Sequence, residues 1–275
     1  MPPPLLERHQ VRIIGRLDAP DTLVFVHGFG TSQQAWQAVA QAFESSHRLV
    51  LLNNAGCGAG AGLGAQRHRY LNLRAYAEDL VAIGAALDLQ GATLIGHSAG
   101  AMICALAALR QPALARRLVL IGASPRYLDA PGYVGGFSDA DLNALYRAVT
   151  LNYEQWAEAF APVMMGNPDR PALALRLADS IKSIPPEDAL TTLCAIFQSD
   201  HRADLAQLRQ PTLLIQAHED AAVPLSVAEY MLDKIPHARL ALIEAAGHLP
   251  HVSAPQQVVE AIADFLAVQP LATPP

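Results

Sequence analysis

The sequence predicts an α/β fold with a mostly parallel sheet, helices on both faces of the sheet and an inserted helical cap. Three observations support this. Short apolar runs alternate with segments of helical period, which is typical of a parallel sheet. Several runs are apolar at every position, as strands covered on both faces must be. The alternation stops between residues 126 and 197, where no strand pattern is present.

The core elements follow from these patterns. Runs rich in β-branched and aliphatic residues have the length of strands. Between them, apolar residues recur at helical spacing, so each such segment can cover one face of the sheet. The predicted strands are residues 11–14, 23–27, 48–52, 92–96, 117–121, 212–217 and 239–243. The predicted helices are residues 33–45, 73–87, 99–110, 225–234 and 254–267.

Residues 126–197 are predicted to form a helical cap, with residues 1–125 and 198–275 as the core. Any one large cap side chain can be explained by packing between cap helices. As a stripe, however, such residues favour an apolar lid over a site. The stripe consists of Tyr146, Tyr153, Trp156, Phe160, Met164 and Met165.

Size and composition limit the functional classes. A chain of 275 residues with 52% hydrophobic and 16% charged residues can form one globular catalytic domain with a cap. The net charge of −6 and the absence of a basic stripe exclude a nucleic-acid surface. No apolar run reaches the ~18 residues of a membrane span, and residues 1–6 lack a signal-peptide pattern. We therefore expect a cytoplasmic protein.

Cys57, Cys104 and Cys194 are widely spaced and form no C-x-x-C pair. This pattern favours neither a disulfide framework nor a zinc site, so we expect buried free thiols.

The glycine-rich stretch at residues 54–60 resembles a phosphate loop but lacks the Gly-Lys-Ser/Thr ending of one. We interpret it as a turn beside the mouth of the site.

Residues 96–100, Gly96-His97-Ser98-Ala99-Gly100, fit the pattern G-x-S-x-G. They follow a predicted strand and open a predicted helix, which is the context that this nucleophile motif requires. Small neighbours allow a strained turn that exposes the serine hydroxyl above the sheet. The alternative is a strand-to-helix turn without chemistry, and the partner residues decide between the two.

A serine nucleophile needs an acid, which should precede the base in the chain. Asp220 lies just beyond the predicted strand at residues 212–217 and before two alanines, as the acid does in hydrolases with this motif. Glu219 is its nearest rival. We assign Asp220 as the residue that orients the base.

The base should be a histidine after the last strand. His248 follows Gly247, which permits a tight loop back to the serine, so we assign it as the base. His251 is the rival and is expected at the solvated surface. His97 lies within the motif, but we expect its side chain to point away from Ser98 and to serve packing.

An acyl-transfer intermediate also requires backbone N–H donors for its oxyanion. Such donors come from the residue after the nucleophile and from the loop after an early strand. Ala99 and Phe29 occupy these positions, and Gly28 and Gly30 let that loop turn inward. Chemistry of this kind needs no metal and no cofactor.

Nearly the whole chain resembles the RsbQ-type bacterial α/β-hydrolases, which are relatives of the plant strigolactone and karrikin receptors. The matching segments are Gly28-Phe29-Gly30 with Trp36, Gly96-His97-Ser98-Ala99-Gly100, Ser124-Pro125-Arg126-Tyr127-Leu128, Gly135-Gly136-Phe137, Asn167-Pro168-Asp169-Arg170-Pro171, Ser199-Asp200-His201-Arg202 and Gly247-His248-Leu249-Pro250-His251.

The resemblance implies an α/β-hydrolase fold, a V-shaped cap of four helices and a deep apolar pocket for a small hydrophobic ester or lactone. It also implies that catalysis can serve signalling, with a PAS-domain phosphatase or another signalling protein as partner. The implied pocket residues are Phe29, Phe137, Trp156, Phe160 and Phe197.

The sequence departs from the family pattern at one place. After the third core strand it has Asn53-Asn54, where the family usually has an aspartate and an aromatic residue, and Cys57 where a serine is common. These changes affect the expected pocket rim and a partner surface near it, and they leave the three triad positions intact.

Three functions follow as hypotheses. The first is an esterase or lactonase that works through an acyl-enzyme at Ser98. The second is a ligand sensor in which slow hydrolysis accompanies a change in the cap. The third, haloalkane or epoxide chemistry on the same fold, requires an aspartate nucleophile, and Ser98 argues against it.

Overall fold

The computed structural model describes residues 4–57 and 62–268. The strands are β1 (Arg12–Gly15), β2 (Thr22–Val26), β3 (Arg48–Leu52), β4 (Ala92–His97), β5 (Ala115–Ile121), β6 (Thr212–Glu219) and β7 (Ala238–Ala246). They form one sheet in the order β1-β3-β2-β4-β5-β6-β7. Within it β1 is antiparallel to β3 and the remaining pairs are parallel. The predicted, mostly parallel sheet is confirmed.

Two helical layers cover the sheet. Along β2, Leu23 and Phe25 face one layer whereas Val24 and Val26 face the other, because successive side chains of a strand point to opposite faces. All four side chains are fully buried, which explains why this strand is apolar throughout. The α-helices are α1 (Leu5–Arg8), α2 (Gln37–Gln41), α3 (Leu73–Ala86), α4 (Ala99–Arg110), α5 (Asp139–Leu151), α6 (Tyr153–Met165), α7 (Pro171–Lys182), α8 (Pro186–Phe197), α9 (Leu225–Lys234), α10 (Pro250–Ser253) and α11 (Pro255–Ala267).

The layers divide by helix. Helices α2 and α11 pack on one face of the sheet, and α3, α4 and α9 pack on the other. Helices α5 to α8 are inserted between β5 and β6, and they include the predicted aromatic and methionine stripe. Among the described residues, no helix is long and apolar enough to cross a membrane.

The helix predicted at residues 33–45 is shorter in the structure. A 3₁₀ turn (Gln33–Trp36), capped by Ser32, leads into α2, which ends at Gln41. The Ser46 hydroxyl donates to the Phe43 carbonyl beyond that point. Serine side chains that bond nearby backbone compete with a continuing helix, so the apolar period alone overestimates its length.

Of the three cysteines, Cys57 and Cys104 are buried free thiols as expected. Cys194, on α8, is only half-buried, so the expectation of burial was wrong for it. The predicted turn at residues 54–60 lies partly outside the described residues.

A buried carboxylate attaches the last cap helix to the core. Asp188, in the first turn of α8, accepts hydrogen bonds from the Leu63 N–H at 2.7 Å and from Arg67 Nε at 2.6 Å. The Asp188 side chain is 2% exposed and that of Arg67 is 37% exposed. Removal of the carboxylate would leave a buried N–H and a partly buried guanidinium without their acceptor.

The Asp188→Ala variant should therefore lose about 2 kcal/mol of unfolding free energy, measured by urea denaturation. Glu187 is the matched control, because it also pairs with Arg67 but its side chain is 61% exposed. Glu187→Ala should change the unfolding free energy by less than about 0.5 kcal/mol. Equal losses in the two variants would contradict the role given to burial.

Candidate active site

Ser98 lies in the sharp turn between β4 and α4. Its backbone is in an unusual region for a residue with a side chain, with φ 54° and ψ −121°. A Cβ at Gly96 would lie 2.3 Å from the Gly100 carbonyl oxygen, and one at Gly100 would lie 2.3 Å from that of Val26. Both glycines are thus required by close backbone approach, and the turn is strained as such nucleophile turns are.

The structure brings Ser98, His248 and Asp220 into one hydrogen-bonded chain. His248 Nε2 lies 2.8 Å from Ser98 Oγ. His248 Nδ1 lies 3.0 Å and 2.9 Å from the two carboxylate oxygens of Asp220. The side chains of His248 and Asp220 are 8% and 1% exposed. This geometry suits proton transfer from the serine hydroxyl to the imidazole.

Asp220 is held ionised by the groups around it. The N–H groups of Ala222 and Val223 donate to Oδ1 at 2.8 Å and 3.0 Å, and Gln216 Nε2 donates to Oδ2 at 3.1 Å. Burial by itself would raise the pKa of this carboxyl, but His248 and the two N–H groups outweigh it and hold the pKa below its ordinary value. The side chain of the rival Glu219 is exposed, and none of the described contacts joins it to His248.

Three further buried histidines lie near His248. Burial lowers the pKa of His27 to about 4 and that of His251 to about 3. For His97, burial first and the neighbouring histidines second place the pKa well below the ordinary value. These rings are neutral at neutral pH, since desolvation disfavours their charged form.

His251 corrects an expectation from the sequence. It was expected at the solvated surface, but it is fully buried. Its ring packs between Trp36 and His97, with centroid distances of 4.5 Å and 4.3 Å. The reason is α10, which begins at Pro250 and turns the chain inward directly after the site. His97 forms no described hydrogen bond with Ser98, and its Nε2 donates to the His248 carbonyl at 2.7 Å.

The loop after β2 lies against the serine. A Cβ added at Gly28 would be 3.0 Å from Ser98 Cβ, so this loop touches the nucleophile turn. Within the described residues, the N–H groups of Phe29 and Ala99 donate to no protein acceptor. Two unengaged N–H groups beside a serine can bind a developing oxyanion, and α4 begins at one of them.

A mostly apolar cavity lies above Ser98, with a volume of about 40 Å³. Phe29, Phe160 and Phe197 of the expected pocket residues line it. Trp156 and Phe137 are not among its lining residues. Trp156 stacks on Phe160 at 4.9 Å, and Phe137 packs on Phe197 at 5.0 Å, so each supports a residue of the wall.

Sequence reasoning missed the other lining residues. Two of them are polar, His97 and Tyr127, and the Tyr127 hydroxyl lies 3.2 Å from Ser98 Oγ. Tyr127 belongs to a segment that carried the family resemblance, but no spacing rule relates it to the serine. The remaining wall consists of aliphatic and small side chains, which periodicity cannot distinguish from core residues. They are Met164, Leu177, Ile181, Leu193, Ile196, Ala222 and Leu249.

The cap contacts the histidine loop directly. The His248 N–H donates to the Met164 carbonyl, at the C-terminal end of α6, at 2.7 Å. A Cβ at Gly247 would lie 1.9 Å from the Met165 carbonyl oxygen, so only glycine fits between cap and loop. A shift of α6 would therefore move the backbone of His248.

Comparison with known proteins agrees with this geometry. The family model described as alpha/beta hydrolase fold matches residues 21–255. Strigolactone esterase D14 of Arabidopsis thaliana is 35% identical over 93% of this chain and 95% of its own length. Karrikin insensitive 2 receptor CA of Petunia hybrida is 35% identical over 92% and 93%. A hydrolase from Oleispira antarctica superposes with a TM-score of 0.91 at 29% identity, and 97% of each chain is covered.

Proposed function

The chain belongs to the α/β-hydrolase family and is related to the plant strigolactone and karrikin receptor esterases, and we propose that its substrate is a small apolar ester or lactone. It is a hydrolase of the carboxylesterase and lactonase type. The observation that carries the proposal is the hydrogen-bonded chain from Asp220 through His248 to Ser98 beneath an apolar cavity.

In the first half of the proposed reaction, Ser98 Oγ attacks the carbonyl carbon and its proton passes to His248 Nε2. The N–H groups of Phe29 and Ala99 donate to the negatively charged oxygen of the tetrahedral intermediate. The carbon–oxygen bond to the alkoxide breaks, and His248 returns the proton to that oxygen. The acyl group remains on Ser98.

In the second half, His248 takes a proton from water, and the hydroxide attacks the acyl carbon. The bond to Ser98 Oγ breaks, the proton returns to that oxygen, and the acid leaves. Asp220 stays ionised throughout, where it fixes the His248 tautomer and stabilises the imidazolium.

The composition of the wall supports an apolar substrate. Three phenylalanines, together with aliphatic side chains from α7 and α8, face Ser98. No lysine or arginine lines this cavity among the described residues, so a charged substrate group would lose its hydration without a counter-ion. The name of the Arabidopsis relative, strigolactone esterase, favours a lactone of the butenolide type.

The test is hydrolysis of p-nitrophenyl acetate and of a synthetic butenolide by the purified protein, followed by intact-mass spectrometry. We expect many product molecules per protein molecule and a transient mass increase equal to the acyl group, located on the Ser98 peptide. The absence of product from both compounds would contradict the proposal.

A second candidate, a ligand sensor of the RsbQ type, is favoured by the contact between α6 and the His248 backbone. We propose that residues 126–197 form the moving cap and residues 1–125 and 198–275 the core. Ligand-driven movement of α6 would then be coupled to the site and to a partner such as a PAS-domain phosphatase. One slow turnover that leaves an adduct on Ser98 or His248, with altered hydrogen exchange in α6, would favour this candidate over an enzyme of repeated turnover.

A further inference from the structure

A second cavity of about 520 Å³ lies between the core and cap helix α7. On the core side it is bounded by α2, by the turn before it and by α10. None of Ser98, His248 and Asp220 lines it. Its lining residues are Thr31, Ser32, Gln34, Ala35, Gln37, Ala38, Gln41, Met165, Leu173, Arg176, Leu177, Ser180, Leu249, His251 and Val252. We call this cavity the α2–α7 groove.

Two leucines line both the α2–α7 groove and the cavity above Ser98. They are Leu177 of α7 and Leu249, which follows the histidine of the site, and both are buried. The two spaces are therefore back to back. The loop that carries Phe29 runs from one to the other, since its continuation, Thr31 and Ser32, lines the groove.

The loop that carries Phe29 packs tightly against α7 where the two spaces meet. A Cβ at Gly30, the residue after Phe29, would lie 2.7 Å from Ile181 and 3.8 Å from Leu177 Cδ1. The Leu177 side chain thus covers the loop at the point where the cavity meets the groove. Displacement of the Leu177 side chain would therefore open a connection between the two spaces.

The cavity above Ser98 is too small for an ester by itself. Its volume of about 40 Å³ holds about three water molecules, whereas pockets for small ligands usually have ~300–1,000 Å³. Part of the substrate must therefore occupy space that side chains now fill. Leu177 and Leu249 separate this cavity from about 520 Å³ of existing space, so their displacement would join the two volumes.

The lining of the α2–α7 groove suits a flexible chain. Apolar side chains, including Met165, Leu173 and Val252, alternate with hydroxyls and carboxamides that bond equally well to water. No aspartate or glutamate lines it among the described residues, and the lining residue Arg176 is exposed. A linear acyl or alkyl chain gains contact here with the apolar side chains and meets no buried carboxylate.

Starting from the proposed esterase function, we propose that the α2–α7 groove is a second substrate subsite. It takes one linear chain of an ester whose carboxyl group lies at Ser98. Leu177, with Leu249, is the partition that sets how long that chain can be.

The test compares kcat/KM along two series, p-nitrophenyl acetate, hexanoate and decanoate, and the acetates of short and long linear alcohols. In the wild type, kcat/KM should fall as the chain lengthens. In Leu177→Ala, the ratio of kcat/KM for the long substrate to kcat/KM for the short one should rise at least tenfold in one series. Each methylene that gains contact in an apolar pocket contributes about tenfold or more.

Two controls separate groove occupancy from a loosened cap. Leu193 also lines the cavity but not the groove, so Leu193→Ala removes the same atoms and should not admit the longest chain. Ser180 lines the groove only, and adding Ser180→Leu to Leu177→Ala should abolish the gain by filling the groove. If Leu177→Ala does not fold, Leu177→Val provides the same comparison with a smaller truncation.

Equal chain-length profiles for Leu177→Ala and Leu193→Ala in both series, or a gain that survives Ser180→Leu, would overturn the subsite. Failure of the proposed function has a different signature, because the wild type would then not hydrolyse even the acetate. Hydrolysis of acetate with an unchanged profile in Leu177→Ala rejects the subsite and leaves the esterase intact.

Discussion

Replacement of Asp220 by asparagine should lower kcat for a p-nitrophenyl ester by about 10⁴-fold with little change in KM. The amide is nearly isosteric, so packing and the hydrogen bonds from Ala222 and Val223 to Oδ1 are retained. The loss of activity comes from the effect on His248, whose Nδ1 contacts both carboxylate oxygens of Asp220 in the wild type. Without the carboxylate, the imidazole loses its fixed tautomer and the partner that stabilises its positive charge.

Glu219→Gln is the matched control, since Glu219 is the adjacent residue and its side chain is exposed. Its kcat should stay within about twofold of the wild-type value, as for a surface position away from the reacting atoms. Ser98→Ala gives the background rate of the assay without the nucleophile. Circular dichroism checks that each variant is folded. A large loss in Glu219→Gln with none in Asp220→Asn would reverse the assignment of the acid.

The sequence predicts the site where chemistry imposes a local pattern. Ser98 is marked by the glycines that its tight turn requires. His248 is marked by Gly247, the residue at which the loop lies against the backbone of the cap. Asp220 is marked by its place after a late strand. Each of these signals is carried by neighbours in the chain, so one sequence is enough to find it.

The parts of the site that the sequence does not predict depend on contacts between distant elements. His251 is a polar residue next to a proline, as is typical of a surface loop. Its burial follows from α10, which packs its ring against Trp36. Tyr127 approaches Ser98 through the fold and not through the chain. Trp156 and Phe137 are aromatic cap residues like those that line the cavity. Their side chains pack behind Phe160 and Phe197 and do not line the cavity themselves.

The fold shows the same division. Continuous apolar runs predicted the strands because both faces of the sheet are covered. The length of the helix predicted at residues 33–45 was overestimated. The cap at Ser32 and the hydrogen bond from the Ser46 hydroxyl to the Phe43 carbonyl are local polar effects, and the apolar period does not reveal them. Short α10 was not predicted because four residues carry no periodicity.

The buried histidines make the fold sensitive to acid. His27 shows why: the Asn54 N–H donates to its Nε2 at 3.0 Å, while its Nδ1 donates to the Gly28 carbonyl at 2.8 Å. Both nitrogens are thus committed in the neutral form, and a proton on Nε2 would face another N–H. His251 has no described hydrogen-bond partner for either ring nitrogen. Neither ring can accept a proton at low cost in the folded state.

The unfolding free energy should therefore fall as the pH is lowered from 6.5 towards 5. In this window the unfolded chain binds protons at these positions and the folded chain does not, because the folded pKa values are about 4 for His27 and about 3 for His251. Each of the two contributes a loss of about 1.4 kcal/mol per pH unit below 6.5, and His97 acts in the same direction. Asp220, whose pKa is lowered from an ordinary carboxyl value, adds its loss only at more acidic pH.

Urea denaturation at pH 7, 6 and 5 measures this dependence, and the histidine variants identify its source. His251→Phe keeps an aromatic ring against Trp36 and removes the titrating group, so its stability should fall less steeply, by about 1.4 kcal/mol per pH unit. His218, whose side chain is 47% exposed, is the control, and His218→Phe should retain the wild-type slope. A wild-type stability that is constant from pH 7 to pH 5 would mean that the buried rings bind protons in the folded protein as readily as in the unfolded chain, and His248 would then lie beside positively charged rings at pH 5.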